Sequence, residues 1–440
     1  MENAESTAAK MLRTHPYNIF YNSTPNAKDE NTISFKDLLC PSLGELKSSL
    51  HINFLVDLLW LFDEYMKVGL QSKPMTVLYG FEVDYNEQET VDVLDKIMPN
   101  VKHHLIETQD IFGINHSRIS IFEYQDGSIR IAIMSANLKD VDWHSMNQSV
   151  WLSESCPKMA SYLRDSECSG PTGFKKALVN YLKKYKMSAA LAEWINLVRR
   201  ADFSNVKVLL VASIPGAHYI KGVGCHVLDM AYYLKKYCTV PSDPEEENTW
   251  PIIAAVSSLG SYGDNASGWL TSLFLRSLGR HRSSTSDSSR EASLYLVYPS
   301  TKNIKSMDLN LPTSSKQAAI KDYQQEWLKT FLHQWKADKL NRSSMVPYSK
   351  SYCRISPCMS KLAWFLFSSA NLAKSDWGVK WDSDVYVRSW ELGILFIPKF
   401  FGMEYFPLMD NDIQENEKKV KFPLMFDLPL VLYDTDDVAY

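Results

Sequence analysis

Two nine-residue stretches share one frame: residues 135–143 are SANLKDVDW and residues 369–377 are SANLAKSDW, 234 positions later. Each contains an asparagine, Asn137 or Asn371, and each follows a triplet of ring side chain, spacer and cation. His116-Ser117-Arg118 lies 21 residues before Asn137, and Tyr348-Ser349-Lys350 lies 23 residues before Asn371. Two cations and two amides can surround the equatorial oxygens of one phosphate while two ring side chains stand in line on either side. That is the layout of a phosphoryl-transfer site built from two half-sites. Side chains handle the charge, so neither a metal nor another cofactor is expected. A single Asn after a strand would read as a turn cap; two in an identical frame favour a site. The Asp142-Trp143 and Asp376-Trp377 pairs read instead as helix-start and core residues.

The elements that must position these groups are strand-like runs ending at each frame: 128–135 (SIRIAIMS) and 362–368 (LAWFLFS). Each asparagine then falls at a strand's C-terminal end, where α/β proteins gather functional groups. Elsewhere, Ile52 to Val68 carries apolar residues at helical spacing up to Gly69, and Met75 to Gly80 reads as a buried strand. Phe174 to Lys186 and Ala189 to Arg200 read as helices, and Val206 to Ser213 as a strand. Pro251 to Val256, Ser293 to Pro299 and Leu392 to Pro398 add strands, and Lys316 to Trp335 a long helix. This interleaving predicts α/β layers with sheets buried on both faces. The expected division is a polar tail over 1–15, a first domain over 16–203 and a second over 204–440. Polar stretches at 242–248, 281–291 and 409–421 read as surface segments.

At 440 residues the chain calls for two or three cores, and 45% hydrophobic residues suffice to fill them. A formal charge of −4 excludes a generally basic nucleic-acid coat, so phosphate binding must come from a local patch. Seven cysteines without a C-x-x-C pair favour a reducing compartment and argue against zinc. No signal or transit peptide and no membrane span is expected, which predicts a soluble, intracellular protein.

The longer motifs carry a resemblance. SFKDLL from Ser34, DWHSMNQSVWLS from Asp142, VSSLGSYG from Val256, FLHQW from Phe331, AWFLFSSANLAKSDWG from Ala363 and RSWELGILFIP from Arg388 occur in that order. Together they resemble the tyrosyl-DNA phosphodiesterase family of the phospholipase D superfamily. The resemblance implies two similar phospholipase D-like domains, each a mixed β-sheet flanked by helices, related by a pseudo-twofold axis with one site at their interface. It implies removal of blocking groups from DNA 3′ ends, above all a tyrosine left by a stalled type I topoisomerase, in single-strand break repair. Partners would be single-stranded or nicked DNA 3′ ends and covalent topoisomerase adducts, with no membrane. The protein would be a nuclear monomer, with cytoplasm also open.

Carried over by motif, His116 would attack phosphorus and form a phosphohistidine, and Glu391 would hold its ring. Lys350, Asn137 and Asn371 would bind phosphate oxygens, and Gln148 would orient the second ring. Phe112 would stack on a DNA base, and Ser257, Ser258, Ser261 and Lys374 would meet the DNA backbone. Without the resemblance, Phe112 would read as core. The YLKKYK (181–186) and YLKKYC (233–238) runs read as solvated helix faces and receive no functional weight.

Two positions depart from the family pattern. Arg118 stands where a lysine is expected, and Tyr348 where a second histidine is expected. A forked, planar guanidinium is no neutral replacement for a point charge, although phosphate binding should survive it. A phenol near pKa 10 is a poor base at neutral pH, where a histidine near 6.5 exchanges protons freely. No other histidine shares that frame. The expectation is slow turnover with a covalent DNA adduct accumulating, the alternative being a catalytically dead DNA-end-binding scaffold. The family also leads one to expect a Trp-rich segment beyond FDLPLVLY and a long N-terminal extension; the sequence carries neither.

Overall fold

A computed structural model describes residues 5–24, 30–81, 96–108, 110, 112–160, 168–219, 224–241, 250–284, 292–305, 307, 325–409 and 420–439. The described residues form two compact units dividing between Leu210 and Val211. The polar stretch 242–248, and most of 281–291 and 409–421, lie outside the described residues.

The first unit is built on one eight-stranded sheet. From edge to edge its strands are Thr32–Ile33, Ile19–Asn22, Ser149–Leu152, Ile129–Met134, Ile119–Tyr124, Leu46–Leu55, Met75–Phe81 and Val101–Leu105. Leu46–Leu55 pairs parallel with Met75–Phe81, which pairs parallel with Val101–Leu105. The pairings from Leu46–Leu55 through Ile119–Tyr124 and Ile129–Met134 to Ser149–Leu152 are antiparallel. Ile119–Tyr124 is buried along its whole length, as a strand covered on both faces must be.

The second unit repeats this plan. Its sheet runs Leu209–Ser213, Glu391–Phe396, Lys361–Ser368, Lys350–Ile355, Ile252–Ala255, Leu294–Tyr298 and Leu332–Gln334, with Phe406–Pro407 also paired to Lys361–Ser368. Ile252–Ala255 pairs parallel with Leu294–Tyr298, and that strand parallel with Leu332–Gln334. The pairings from Ile252–Ala255 through Lys350–Ile355 and Lys361–Ser368 to Glu391–Phe396 are antiparallel. Six successive strands thus match in order and direction. In both units the triplet leads into a central strand, and the next strand ends at the SANL frame.

Two expectations from periodicity need correcting. Residues 52–55 finish the strand Leu46–Leu55, and the helix begins only at Leu58, where Asp57 accepts the Trp60 N–H at 3.0 Å. A central strand buried on both faces is apolar at consecutive positions, so helical spacing arose there by default. Asp57 marks the boundary as an N-cap. The long helix expected to end at Trp335 is replaced, over its described part, by a 3₁₀ helix Glu326–Phe331 and the edge strand Leu332–Gln334. Pairing with Leu294–Tyr298 outweighs helix propensity there. Residues 316–324 lie outside the described residues.

Helices Phe174–Lys184 and Ser188–Arg200 belong to the first unit. Phe174, Leu178 and Leu182 recur every fourth residue and are all buried. Phe174 stacks on Phe203 at 5.9 Å, and Trp194 donates its indole N–H to Thr76 Oγ1 at 3.3 Å, fixing the second helix against the sheet. In the second unit, helix His226–Tyr237 is anchored through His226. Its ring nitrogens lie 2.8 Å from Ser213 Oγ and 2.8 Å from Ser368 Oγ.

Candidate active site

In the first unit His116 stands just before the strand Ile119–Tyr124 and is 6% exposed. Phe54 packs against its ring edge-to-face at 5.3 Å. Asn115 beside it runs so close to the neighbouring strand that a Cβ at Gly80 would come within 2.5 Å of the Asn115 carbonyl oxygen. Arg118 is fully buried and bonds inward. Its Nε donates to Asn137 Oδ1 at 3.0 Å, Nη1 to the His116 carbonyl at 3.2 Å, and Nη2 meets His116 Nε2 at 2.9 Å. A guanidinium can only donate, so His116 Nε2 must be the acceptor and carries no proton. The ring is thus in the state a nucleophile needs, but its lone pair is already engaged.

Asn137 is equally engaged. Its Oδ1 takes the Arg118 bond, and its Nδ2 donates to Asp142 Oδ2 at 3.0 Å. Asp142 Oδ2 also accepts the Asn137 backbone N–H at 2.9 Å and Gln148 Nε2 at 3.3 Å. Gln148 receives the Ser135 hydroxyl on Oε1 at 2.6 Å, and Ser135 Oγ accepts the Ser149 N–H at 2.9 Å.

In the second unit Lys350 opens the strand Lys350–Ile355 and is fully buried. Its Nζ lies 3.7 Å from the centroid of the half-buried Tyr348 ring, a cation–π contact. Asn371 Oδ1 accepts the Ser257 hydroxyl and the Ser258 N–H, both at 3.0 Å. Asn371 Nδ2 donates to no other group among the described residues. Glu391 Oε2 accepts the Ser369 hydroxyl in a short bond, and Ser369 Oγ accepts the Leu392 N–H at 2.9 Å.

The repeated frame is therefore one construction made twice. Its serine holds the orienting residue, Gln148 or Glu391, and receives the N–H that follows in the next strand. Its aspartate accepts the asparagine N–H at 2.9 Å in both copies. Its tryptophan donates to the asparagine carbonyl, at 3.1 Å from Trp143 and 2.9 Å from Trp377. Each cation is engaged by the ring residue two positions before it, Arg118 by His116 and Lys350 by Tyr348.

The remaining predicted contacts are placed unevenly. Phe112 is 70% exposed on a turn in which Asp110 Oδ1 accepts its N–H at 2.8 Å, so core burial does not explain it. Ser257 and Ser258 gather at Asn371. Ser261 is exposed and Lys374 starts the short helix Lys374–Trp377; neither is tied to Asn371 by a side-chain hydrogen bond.

A family model described as tyrosyl-DNA phosphodiesterase matches residues 13–434. The chain belongs to the tyrosyl-DNA phosphodiesterase family. Tyrosyl-DNA phosphodiesterase 1 of Drosophila melanogaster is 32% identical over 448 residues, covering 98% of this chain and 75% of its own. A probable tyrosyl-DNA phosphodiesterase of Caenorhabditis elegans is 26% identical, covering 95% of this chain and 86% of its own. The crystal structure of the yeast tyrosyl-DNA phosphodiesterase matches with a TM-score of 0.71 at 19% identity, over 96% of this chain and 99% of that one. The fold is the two-domain phospholipase D-like α/β fold of that family.

Residue patterning did not single out every group that shapes this tyrosyl-DNA phosphodiesterase fold around its half-sites. Asp142 and Asp376 hold the asparagines as well as starting helices, and their common offset in the frame was the available signal. Ser135 and Ser369 sat in the frame without a role. Tyr181 and Tyr185, whose run reads as a solvated face, are in fact buried beside the residues flanking His116.

Proposed function

We propose that this chain acts on blocked DNA 3′ ends, with 3′-phosphotyrosyl groups left by topoisomerase as its substrate class, and that it stalls after the first chemical step. His116 Nε2 attacks phosphorus, the P–O bond to tyrosine breaks, and the phenolate leaves with little need of an acid. Lys350 and Asn371 Nδ2, with Arg118, take the phosphate oxygens. The observation that carries the reading is the unprotonated, acceptor state of His116 Nε2.

The second step must break the N–P bond by attack of water, which has to give up a proton as it forms the new P–O bond. The second triplet carries a phenol, Tyr348, where the family pattern has a histidine, and phenols near pKa 10 are poor bases at neutral pH. Losing a positioned base costs about 10²- to 10⁴-fold, about 3–5 kcal/mol of barrier. The covalent DNA adduct therefore persists. The substrate would place the work in the nucleus, in single-strand break repair, and the protein would act as a monomer.

One observation favours a second reading, a DNA-end-binding scaffold without chemistry: Arg118 Nη2 already occupies the His116 lone pair. Incubation with a 3′-phosphotyrosyl oligonucleotide separates the two. An adduct that survives denaturation and disappears in His116→Ala supports the stalled enzyme. Binding with neither adduct nor free 3′-phosphate supports the scaffold. Rapid release of 3′-phosphate contradicts both.

A further inference from the structure

We propose that Tyr181 and Tyr185 are positioning residues that aim His116 through a one-way chain of buried hydrogen bonds. The inference rests on the role proposed above for His116. Tyr181 lies in the helix Phe174–Lys184 and Tyr185 caps its C-terminus. Both are buried, and their rings meet edge-to-face at 5.4 Å.

The direction of the chain follows from its end. The Asn53 carbonyl can only accept, so Asn115 Nδ2 is the donor in their 3.1 Å contact. Asn115 Oδ1 is then an acceptor, and Tyr185 Oη, 3.0 Å away, donates to it. Having spent its proton, Tyr185 accepts from Tyr181 Oη at 2.9 Å. Tyr181 in turn accepts the Ser117 hydroxyl in a short bond. The chain runs Ser117, Tyr181, Tyr185, Asn115, Asn53, and every member is buried.

Asn115 and Ser117 are the immediate neighbours of His116, so both sides of the nucleophile's backbone are tied to one helix end. Asn53 precedes Phe54, whose ring packs on the imidazole. The far end of the chain therefore also sets the surface against which His116 rests. With each hydroxyl holding a single proton, loss of one oxygen breaks the chain at that point and leaves buried groups unmatched on either side.

Tyr181→Phe and Tyr185→Phe keep the rings and remove one oxygen each. At saturating 3′-phosphotyrosyl oligonucleotide, each should slow adduct formation about ten- to a hundred-fold, the scale of a small misplacement of a reacting group. The dissociation constant for a 3′-phosphate oligonucleotide should stay within about twofold. The double variant should be no slower than the slower single one, because one break suffices. In protein labelled with nitrogen-15 at histidine, His116 should give one sharp pair of ring signals with Nε2 unprotonated, broadened or doubled in each Phe variant. Ser117→Ala, the smallest change, cuts the bond that ties the His116 backbone to Tyr181 should the Phe variants fail to fold. Unchanged adduct rate and unchanged His116 signals in the folded variants would overturn the proposal, as would weakened DNA binding with no change in the chemical step. If the native protein forms neither adduct nor product, the proposed function fails, while the histidine signals still decide the role of the tyrosines.

Discussion

The two departures from the family pattern touch different bonds, so their effects should separate by reaction step. Arg118 holds the His116 lone pair through Nη2 and must release it before attack. Arg118→Lys removes the fork and should speed adduct formation in a single-turnover assay while leaving adduct decay unchanged. Tyr348→His supplies a base where the phenol stands and should speed adduct decay by about 10²- to 10⁴-fold. Phe112 tests DNA contact independently of chemistry. Stacking of a base on an aromatic ring is worth about 1–3 kcal/mol, so Phe112→Ala should weaken single-stranded oligonucleotide binding by that amount in a fluorescence titration. At 70% exposure the ring contributes little to the core, and the melting temperature should not move.

At the scale of elements, the SANL frame shows why much of the site could be read from the sequence. Its serine, asparagine, aspartate and tryptophan bond to one another or to the next strand in both units, so one local construction required the same residues twice. Asp142 is its keystone in the first unit, taking the N–H groups of Asn137 and Gln148 on one oxygen. Asp142→Ala would leave three buried donors unmatched, at about 1–3 kcal/mol for each such group. A loss of about 3–9 kcal/mol in denaturant unfolding is expected. What the sequence concealed has a physical reason too. Tyr181 and Tyr185 reach the neighbours of His116 across more than sixty positions of chain, and the lysines between them disguise a buried edge as a solvated face. Residues 52–55 read as helix because a strand covered on both faces has no alternating pattern to betray it.

At the scale of the molecule, the same six-strand order in both units explains a sequence that repeats its chemistry with a separation of 234 residues. Each unit also contains a fully buried histidine. His51 bonds to Ser120 and Tyr65, His226 to Ser213 and Ser368, and burial pushes both down from 6.5 to about 3. Between those values the unfolded chain binds protons that the folded protein does not. Stability therefore rises with pH through this window and is lost as pH falls from about 6.5 towards 3, by up to about 1.4 kcal/mol per pH unit for each histidine. Asp229 acts in the opposite sense. Burial raises its carboxyl pKa, so its contribution falls as pH rises. Comparison with single variants isolates the histidine effect: His51→Gln and His226→Gln should each flatten the acid limb of the stability curve by about one proton.

In the proposed cycle His116 attacks phosphorus but the adduct is not efficiently hydrolysed. The most direct measurement follows a labelled 3′-phosphotyrosyl oligonucleotide mixed with excess protein, resolving covalent adduct from free 3′-phosphate over time. The native protein should build up an adduct dependent on His116, and the Arg118→Lys, Tyr348→His double variant should convert it to 3′-phosphate at least about 10²-fold faster. Free 3′-phosphate released by the native protein as fast as by the double variant, with no adduct accumulating, would contradict the account.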